Sequence, residues 1–284
     1  MIPQQFDYSA PETLEEALRL VGGGAKALAG GMSLLPLMKL RLAAPERVVD
    51  LRRVPGLSYI AEANGSIRIG AMTTHYDIES SPLVRAHAPL LAETAGAIGD
   101  VQVRNAGTIG GSVAHADPAS DYPAALLASG AEVRLVSSSG RRAVAYGDFL
   151  VDAFTTVLDP GEIIEEVVVP AAAAGTGWAY EKMLQPASGF AIVGVAACIA
   201  RTAGKVNFAR VGVTGLSSKA YRATAVEEKL LGTAGSTDDI RNAAGAIADG
   251  IEANSDLHAS AAYRKQMAKV YAARAIARAA QRAA

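Results

Sequence analysis

Two glycine clusters are the residues of this sequence best suited to chemistry, and what they could do is hold an anion. The first runs Ala29-Gly30-Gly31-Met32-Ser33-Leu34, with Pro36 and Lys39 just beyond it. A strand-like stretch enters a glycine pair, a small polar residue follows, and a helical pattern begins. Glycine lets the backbone turn tightly and approach a ligand closely. The unpaired N–H groups that open a helix make a seat for phosphate. By itself such a turn is more often a plain connector. The second cluster, Arg104 to Ser112, contains Gly107, Thr108, Gly110, Gly111 and Ser112. A nest of backbone N–H groups with two hydroxyls could cradle a pyrophosphate without any lysine. A side chain at Gly31 or Gly110 is therefore expected to expel the ligand while leaving most of the fold intact. Asp121 stands just before a helical stretch. It could cap that helix or accept hydrogen bonds from a sugar or ribityl hydroxyl.

Neither cluster is of the Rossmann kind, since no G-x-G-x-x-G lies between a strand and a helix with an acid about 20 residues later. A Walker lysine is also missing. The pair points to a dinucleotide held by another fold. Other candidates are weaker. His75, His87, His115 and His258 are scattered without metal-ligand spacing, and no G-x-S-x-G elbow occurs. Cys198 is the one cysteine; its apolar surroundings predict a buried, inert thiol. Alone it cannot ligate an iron–sulfur cluster, which needs about four ligands. Taken singly, Lys182 reads as a surface charge and Phe190 as a core residue. Arg274, Arg278 and Arg282 fall on one helix face at i, i+4 spacing, either a solvated stripe or a docking surface.

The elements that must position these residues follow from the hydrophobic periods. Helices are expected from Leu14 until Gly22-Gly23-Gly24, from Leu34 to Leu42, from Leu83 to Ile98 with a break at Pro89, and from Pro123 to Ser129. Strands are expected at Lys26–Ala29, Val48–Leu51, Ser66–Ala71, Ala131–Val136 and Ile163–Val169. Arg104 to Ser112 reads as a long loop, and Ala171 to Gly177 as a linker. Beyond the linker, Tyr180–Met183, Ala191–Ala200 and Ala209–Thr214 read as strands, the last two joined in a hairpin. From Ala220 onward the chain reads as helical. Strands followed by helices indicate an α+β module.

Composition narrows the function. The chain has 284 residues, 50% of them hydrophobic, and 27 basic against 28 acidic side chains. That length suggests about two domains. A balanced charge argues against a nucleic-acid or anionic-membrane binder. The start lacks the pattern of a secretory signal, and no apolar run reaches the ~20 residues needed to span a bilayer. A cytoplasmic location is expected.

Several motifs together resemble one family. AGGMSLLPLMKLRL at 29–42, IGAMTTH at 69–75 and QVRNAGTIGGSVAHADPASDYPA at 102–124 are similar to the FAD-binding medium subunits of the molybdenum hydroxylases. FDYSAPETLEEAL at 6–18, GEII at 161–164, AYEKM at 179–183 and YRKQMAKV at 263–270 match as well. The layout looks most like the carbon monoxide dehydrogenase branch, with aldehyde, xanthine or N-heterocycle dehydrogenases, or a self-contained FAD oxidoreductase, as alternatives. The resemblance implies an α+β fold: a two-part FAD-binding region of the vanillyl-alcohol-oxidase type over 1–175 (divided at about 57/58), then a C-terminal α+β domain over 176–284 with an antiparallel sheet and helices. It implies non-covalent FAD, since Met32 stands where a His is frequent. Ala29, Gly30, Gly31, Met32, Ser33 and Leu34 would form the first pyrophosphate loop. Gly107, Thr108, Gly110, Gly111 and Ser112 would form the second. Asp121, Ile164 and Lys182 would make further FAD contacts, and Phe190 sits where an aromatic commonly covers the flavin. No residue of this chain need be an acid or base. Molybdopterin would sit on a large partner subunit and two [2Fe–2S] clusters on a small one, in a dimer of heterotrimers that reduces an external acceptor.

Overall fold

The computed structural model describes residues 2–283. First come β1 (Asp7–Ser9), α1 (Leu14–Gly22), β2 (Lys26–Leu28), α2 (Leu34–Lys39) and β3 (Arg47–Asp50), with sheet order β1-β3-β2. Both pairings are parallel, which requires crossover connections. Thr13 caps α1 by accepting from the Glu16 N–H, and Ala17 and Leu18 pack against Val49 and Leu51. The helix expected to reach Leu42 stops at Lys39. Arg41 turns left-handed (φ 59°), and the Leu42 N–H returns to the Leu37 carbonyl to close the end.

The second unit comprises β4 (Ile60–Ala63), β5 (Ser66–Gly70), α3 (His75–Ser80), α4 (Pro82–His87), α5 (Pro89–Gly96), α6 (Val101–Ala106), α7 (Ile109–His115) and α8 (Tyr122–Ser129). It continues with β6 (Glu132–Ser137), β7 (Gly140–Ala145), α9 (Tyr146–Phe149), β8 (Leu150–Asp152), β9 (Thr155–Thr156) and β10 (Ile163–Pro170). Its five-stranded antiparallel sheet runs β4-β5-β10-β6-β7. Ile67, Ile69, Val133, Leu135 and Val167 bury one sheet face against Leu91, Ile109, Val113 and Leu126 of the helices. The break expected at Pro89 separates α4 from α5. The stretch expected to be a long loop is instead two helices, α6 and α7, parted only at Gly107-Thr108. Asp100 accepts from the Val103 N–H (2.8 Å) and the Thr108 hydroxyl from the Gly111 N–H (3.1 Å). Two such caps offset the roughly 1 kcal/mol that each glycine costs a helix.

The third unit is β11 (Thr176–Leu184), β12 (Ala191–Thr202), β13 (Lys205–Thr214), β14 (Tyr221–Arg222), α10 (Thr224–Leu230), α11 (Thr237–Ala244) and α12 (Ala261–Arg282). Its antiparallel sheet runs β11-β12-β13-β14. The expected linker is shorter than read: strand geometry begins at Thr176, while the Ala171 and Ala172 N–H groups are tied to the Gly65 and His87 carbonyls. The region after Ala220 is less helical than expected, since β14 pairs with β13 and an irregular stretch separates α11 from α12.

This sheet is covered on both faces. Along β12, Val195, Ala197 and Ile199 meet α12 residues such as Ala272, Ala275 and Ile276, whereas Ala196 and Cys198 meet Ala124, Ala125 and Ala128 of α8. The approach is close. A Cβ on Gly212 would lie 2.1 Å from the Ala124 carbonyl oxygen. Cys198 is buried as expected, and burial pushes its thiol up to about 12. The arginine stripe of α12 is partly solvated, with Arg274 and Arg282 exposed, and partly engaged in pairs within the chain. Arg278 pairs with Glu93 (3.2 Å) and Glu181 (2.8 Å), and Arg282 with Glu93 (2.7 Å), while Arg274 lies over the Tyr271 ring. Glu93 belongs to α5, so these pairs join the second unit to the third. No helix among the described residues is long and apolar enough to cross a membrane.

Candidate flavin site

The two glycine clusters meet at their backbones. A Cβ on Gly30 would stand 1.9 Å from the Ala106 carbonyl oxygen and 2.8 Å from the Gly107 Cα. One on Gly111 would stand 3.4 Å from the Ala29 Cβ. The turn after β2 therefore lies directly on the α6–α7 junction. Beneath the junction runs the segment 71–75: the Ile109 N–H donates to the Thr73 carbonyl, Gly110 to Ala71, and His75 to Gly107.

The clusters differ in what they leave free. In the second, the N–H groups of Gly107, Ile109, Gly110, Gly111 and Ser112 all have partners within the protein. The nest expected there is already filled. Gly110 is glycine because Ala71 is in the way, with its Cβ 2.5 Å and its carbonyl oxygen 2.7 Å from where a Gly110 Cβ would stand. A side chain at Gly110 thus damages the packing of α7 on the sheet, contrary to the expectation that it would strip only the ligand. In the first cluster, the N–H groups of Gly30, Gly31, Met32, Ser33 and Leu34 have no partner among the described residues, and Ser33 makes no side-chain cap. Gly31 holds a left-handed φ of 76°, which turns this run toward the helix start. Five consecutive free donors at a helix entrance, close to a second backbone, fit a pyrophosphate such as that of FAD.

Asp121 does not cap α8; its backbone is already helical and its side chain makes no capping bond. Its carboxylate is buried, accepting from the Tyr180 hydroxyl at 2.5 Å and from the Lys182 ammonium at 3.0 Å. Burial raises the Asp121 carboxyl, against the opposing pull of Lys182 and Tyr180. Lys182 is not a surface charge, since its side chain is only 6% exposed. Phe190, read singly as a core residue, is instead 45% exposed, as is Met32 at 42%. Ile164 points into the core of the second unit and pairs with Leu135 of β6 alone, while β5 pairs only with Glu166 to Pro170. Any contact it makes with a ligand would come from its backbone. Ser112 meets Ser120 at 3.0 Å, bringing α7 next to the segment that leads to Asp121.

Three contributors were missed in the sequence. Tyr180 alternates with Lys182 on one face of β11, a period-2 signal that was available. Thr214 directs its single hydroxyl proton between the Pro118 and Ser120 carbonyls, at 2.9 and 2.7 Å, fixing the approach to Asp121. His75 is buried with its Nδ1 at 3.2 Å from the Tyr122 hydroxyl, and burial lowers it to about 4. A surface concavity of about 330 Å³ at Glu79, Arg85, Pro89, Ala92, Glu93 and Gly96 lies outside this set of residues.

A family model described as the FAD-binding domain in molybdopterin dehydrogenase matches residues 4–172. The chain belongs to this family. A second model, the CO dehydrogenase flavoprotein C-terminal domain, matches residues 178–279. Among the family's curated members, the chain is 42% identical over 279 residues to the carbon monoxide dehydrogenase medium chain of Hydrogenophaga pseudoflava, covering 97% of each. It is 39% identical over 287 residues to the 6-hydroxypseudooxynicotine dehydrogenase complex subunit alpha of Paenarthrobacter nicotinovorans, covering 100% of this chain and 97% of that one. Its fold superposes on the solved carbon monoxide dehydrogenase of H. pseudoflava with a TM-score of 0.97, at 44% identity and full coverage of both chains. The α+β architecture expected from the sequence, an FAD-binding region followed by a C-terminal domain, is that of the family.

Proposed function

We propose that this chain is the electron-transferring FAD subunit of a molybdenum-containing dehydrogenase complex of the carbon monoxide dehydrogenase kind. The observation that carries the reading is the run of free N–H donors from Gly30 to Leu34 laid against the α6–α7 junction. A site built of backbone donors holds and orients a cofactor. Bound FAD would supply the redox chemistry, accepting electrons from [2Fe–2S] clusters on a small partner subunit and passing them to an external acceptor. The first cluster would bind the pyrophosphate, with Thr108, Gly111 and Ser112 lining its far side. Phe190 and the Ile164 backbone would complete the site, with the buried Asp121–Lys182 pair bracing it from behind. Substrate oxidation would take place on a large molybdopterin-binding subunit, in a cytoplasmic dimer of heterotrimers. A division into 1–57, 58–175 and 176–284 is supported by the three-, five- and four-stranded sheets falling one in each part, with the two-stranded β8-β9 sheet in the second, and the medium-chain relatives support the subunit role.

The decisive experiment is to purify the native complex and add carbon monoxide without air. Bleaching of the flavin band together with a reduced iron–sulfur signal is expected. The same bleaching with the isolated chain, free of molybdenum and iron, would overturn the reading. FAD is held non-covalently on this reading, because Met32 has no proton to lose on forming a link as His or Cys would and the Cys198 thiol is buried beneath α8. Acid precipitation should leave all yellow colour in the supernatant; colour in the pellet would refute it.

A further inference from the structure

The turn that carries Phe190 is held more firmly than its exposure suggests. The Gln185 side-chain oxygen accepts from the Ala187 and Ser188 N–H groups, both at 2.7 Å. The Gln185 N–H donates to the Phe190 carbonyl and the Gly189 N–H to the Gln185 carbonyl, each at 2.8 Å. Gly189 takes a left-handed φ of 74° with the Gly99 backbone alongside.

Two buried cations flank this turn. Lys182 donates to the Gly189 carbonyl at 2.6 Å, to the Ala97 carbonyl at 2.7 Å and to Asp121 at 3.0 Å. Arg264, 4% exposed, donates to the Ile192 carbonyl at 2.5 Å and to the Gly215 carbonyl at 2.8 Å, and it pairs with Asp256 at 2.6 Å. Between them the Ala191 N–H is fixed to the Ala119 carbonyl. A lysine ammonium has three protons. In Lys182 all three are directed at protein oxygens, and none is left for a ligand.

We propose that Lys182 is a positioning residue: through the Gly189 carbonyl it sets the turn, so that the Phe190 ring stands as a fixed wall of the flavin site. This rests on the reading that the flavin lies against Phe190. It departs from the expectation that Lys182 touches FAD itself. The ammonium ties three segments that are far apart in sequence, the end of α5, the start of α8 and the 185–190 turn. A wall so held keeps its place whether or not the cofactor is present.

The test is a double-mutant cycle in the purified complex, reading the fluorescence of bound flavin and the FAD dissociation constant after stripping and titration. Lys182→Met leaves Asp121 buried without its counter-charge and can unfold the chain. Gln185→Ala, which loosens the same turn from its outer side, is therefore run in parallel. Each variant should raise flavin fluorescence several-fold and weaken FAD by about ten-fold, as Phe190→Ala should. In the Phe190→Ala background neither should add a further change. Effects that multiply instead would show Lys182 acting on the cofactor directly and overturn the proposal. Unchanged fluorescence in Phe190→Ala with FAD retained would also overturn it, while leaving the glycine-cluster site intact. Wild-type complex without FAD would sink the underlying reading instead.

Discussion

Gly30→Ala should yield a protein that is destabilised and purifies without flavin. The added carbon has nowhere to go, because it would sit 1.9 Å from the Ala106 carbonyl oxygen and 2.8 Å from the Gly107 Cα. Both are backbone atoms, so no rotamer change relieves the clash. The turn after β2 must lift off the α6–α7 junction, or the junction must shift on the segment 71–75 that it is bonded to. Overpacking of this kind costs about 1–3 kcal/mol. The same movement disperses the free N–H donors from Gly30 to Leu34, so FAD affinity should fall by roughly a hundred-fold or more, the equivalent of losing about two charge-assisted hydrogen bonds. Gly111→Ala is the informative contrast. Its Cβ would meet only the Thr108 hydroxyl at 3.0 Å and the Ala29 Cβ at 3.4 Å, and alanine is the better helix former. That variant should keep its unfolding midpoint and lose only part of its FAD affinity. Full occupancy and an unchanged midpoint in Gly30→Ala would show that the two clusters do not cross as described.

Acid should loosen the chain through His75. In the folded state burial lowers this imidazole to about 4, whereas in the unfolded chain it titrates near its ordinary value of about 6.5. Between those values the unfolded state binds the proton and the folded state does not. Stability therefore falls as pH drops through this window, by about 3 kcal/mol in total, and is fully present above about pH 6.5. Denaturant unfolding at pH 7.5 and pH 5 should show most of that loss. His75→Gln, which keeps a polar group beside the Tyr122 hydroxyl, should remove it. Equal acid sensitivity in the two proteins would rule out His75 as its source. Because the His75 backbone N–H holds the Gly107 carbonyl at 3.0 Å, flavin should be released only at the acid end of this window, where the folded imidazole itself takes up the proton near about 4.

Much of the fold was legible because its local signals agree with its packing. The Gly22-Gly23-Gly24 stop, the Pro89 break and the Ala191–Ala200 strand all survive into the structure. The stretch from Arg104 to Ser112 was misread because glycine content argues for a loop. Here glycine answers to tertiary demands: Ala71 crowds Gly110, and His75 crowds Gly107, at 2.6 Å from where its Cβ would stand. The N–H groups of the first cluster are free and those of the second are paired within the protein, a difference that spacing cannot reveal because it depends on which donors the fold has already used. The Asp121–Lys182 pair spans 61 positions, and no local pattern connects them. The arginines of α12 were ambiguous for the same reason, as their partner Glu93 lies 185 residues away from Arg278.

The contact of α8 with the C-terminal sheet bears on how such chains can be recombined. A chimera that exchanges everything after residue 175 with a relative would place a foreign sheet on Ala124, Ala125 and Ala128. The newcomer would need a glycine where Gly212 clears the Ala124 carbonyl, and a lysine and tyrosine spaced to meet Asp121. A donor lacking any of these leaves a buried carboxylate unpaired or drives two backbones together, and either defect costs several kcal/mol. The natural unit of exchange is therefore the C-terminal domain together with 117–129, although those residues belong to the other half of the chain.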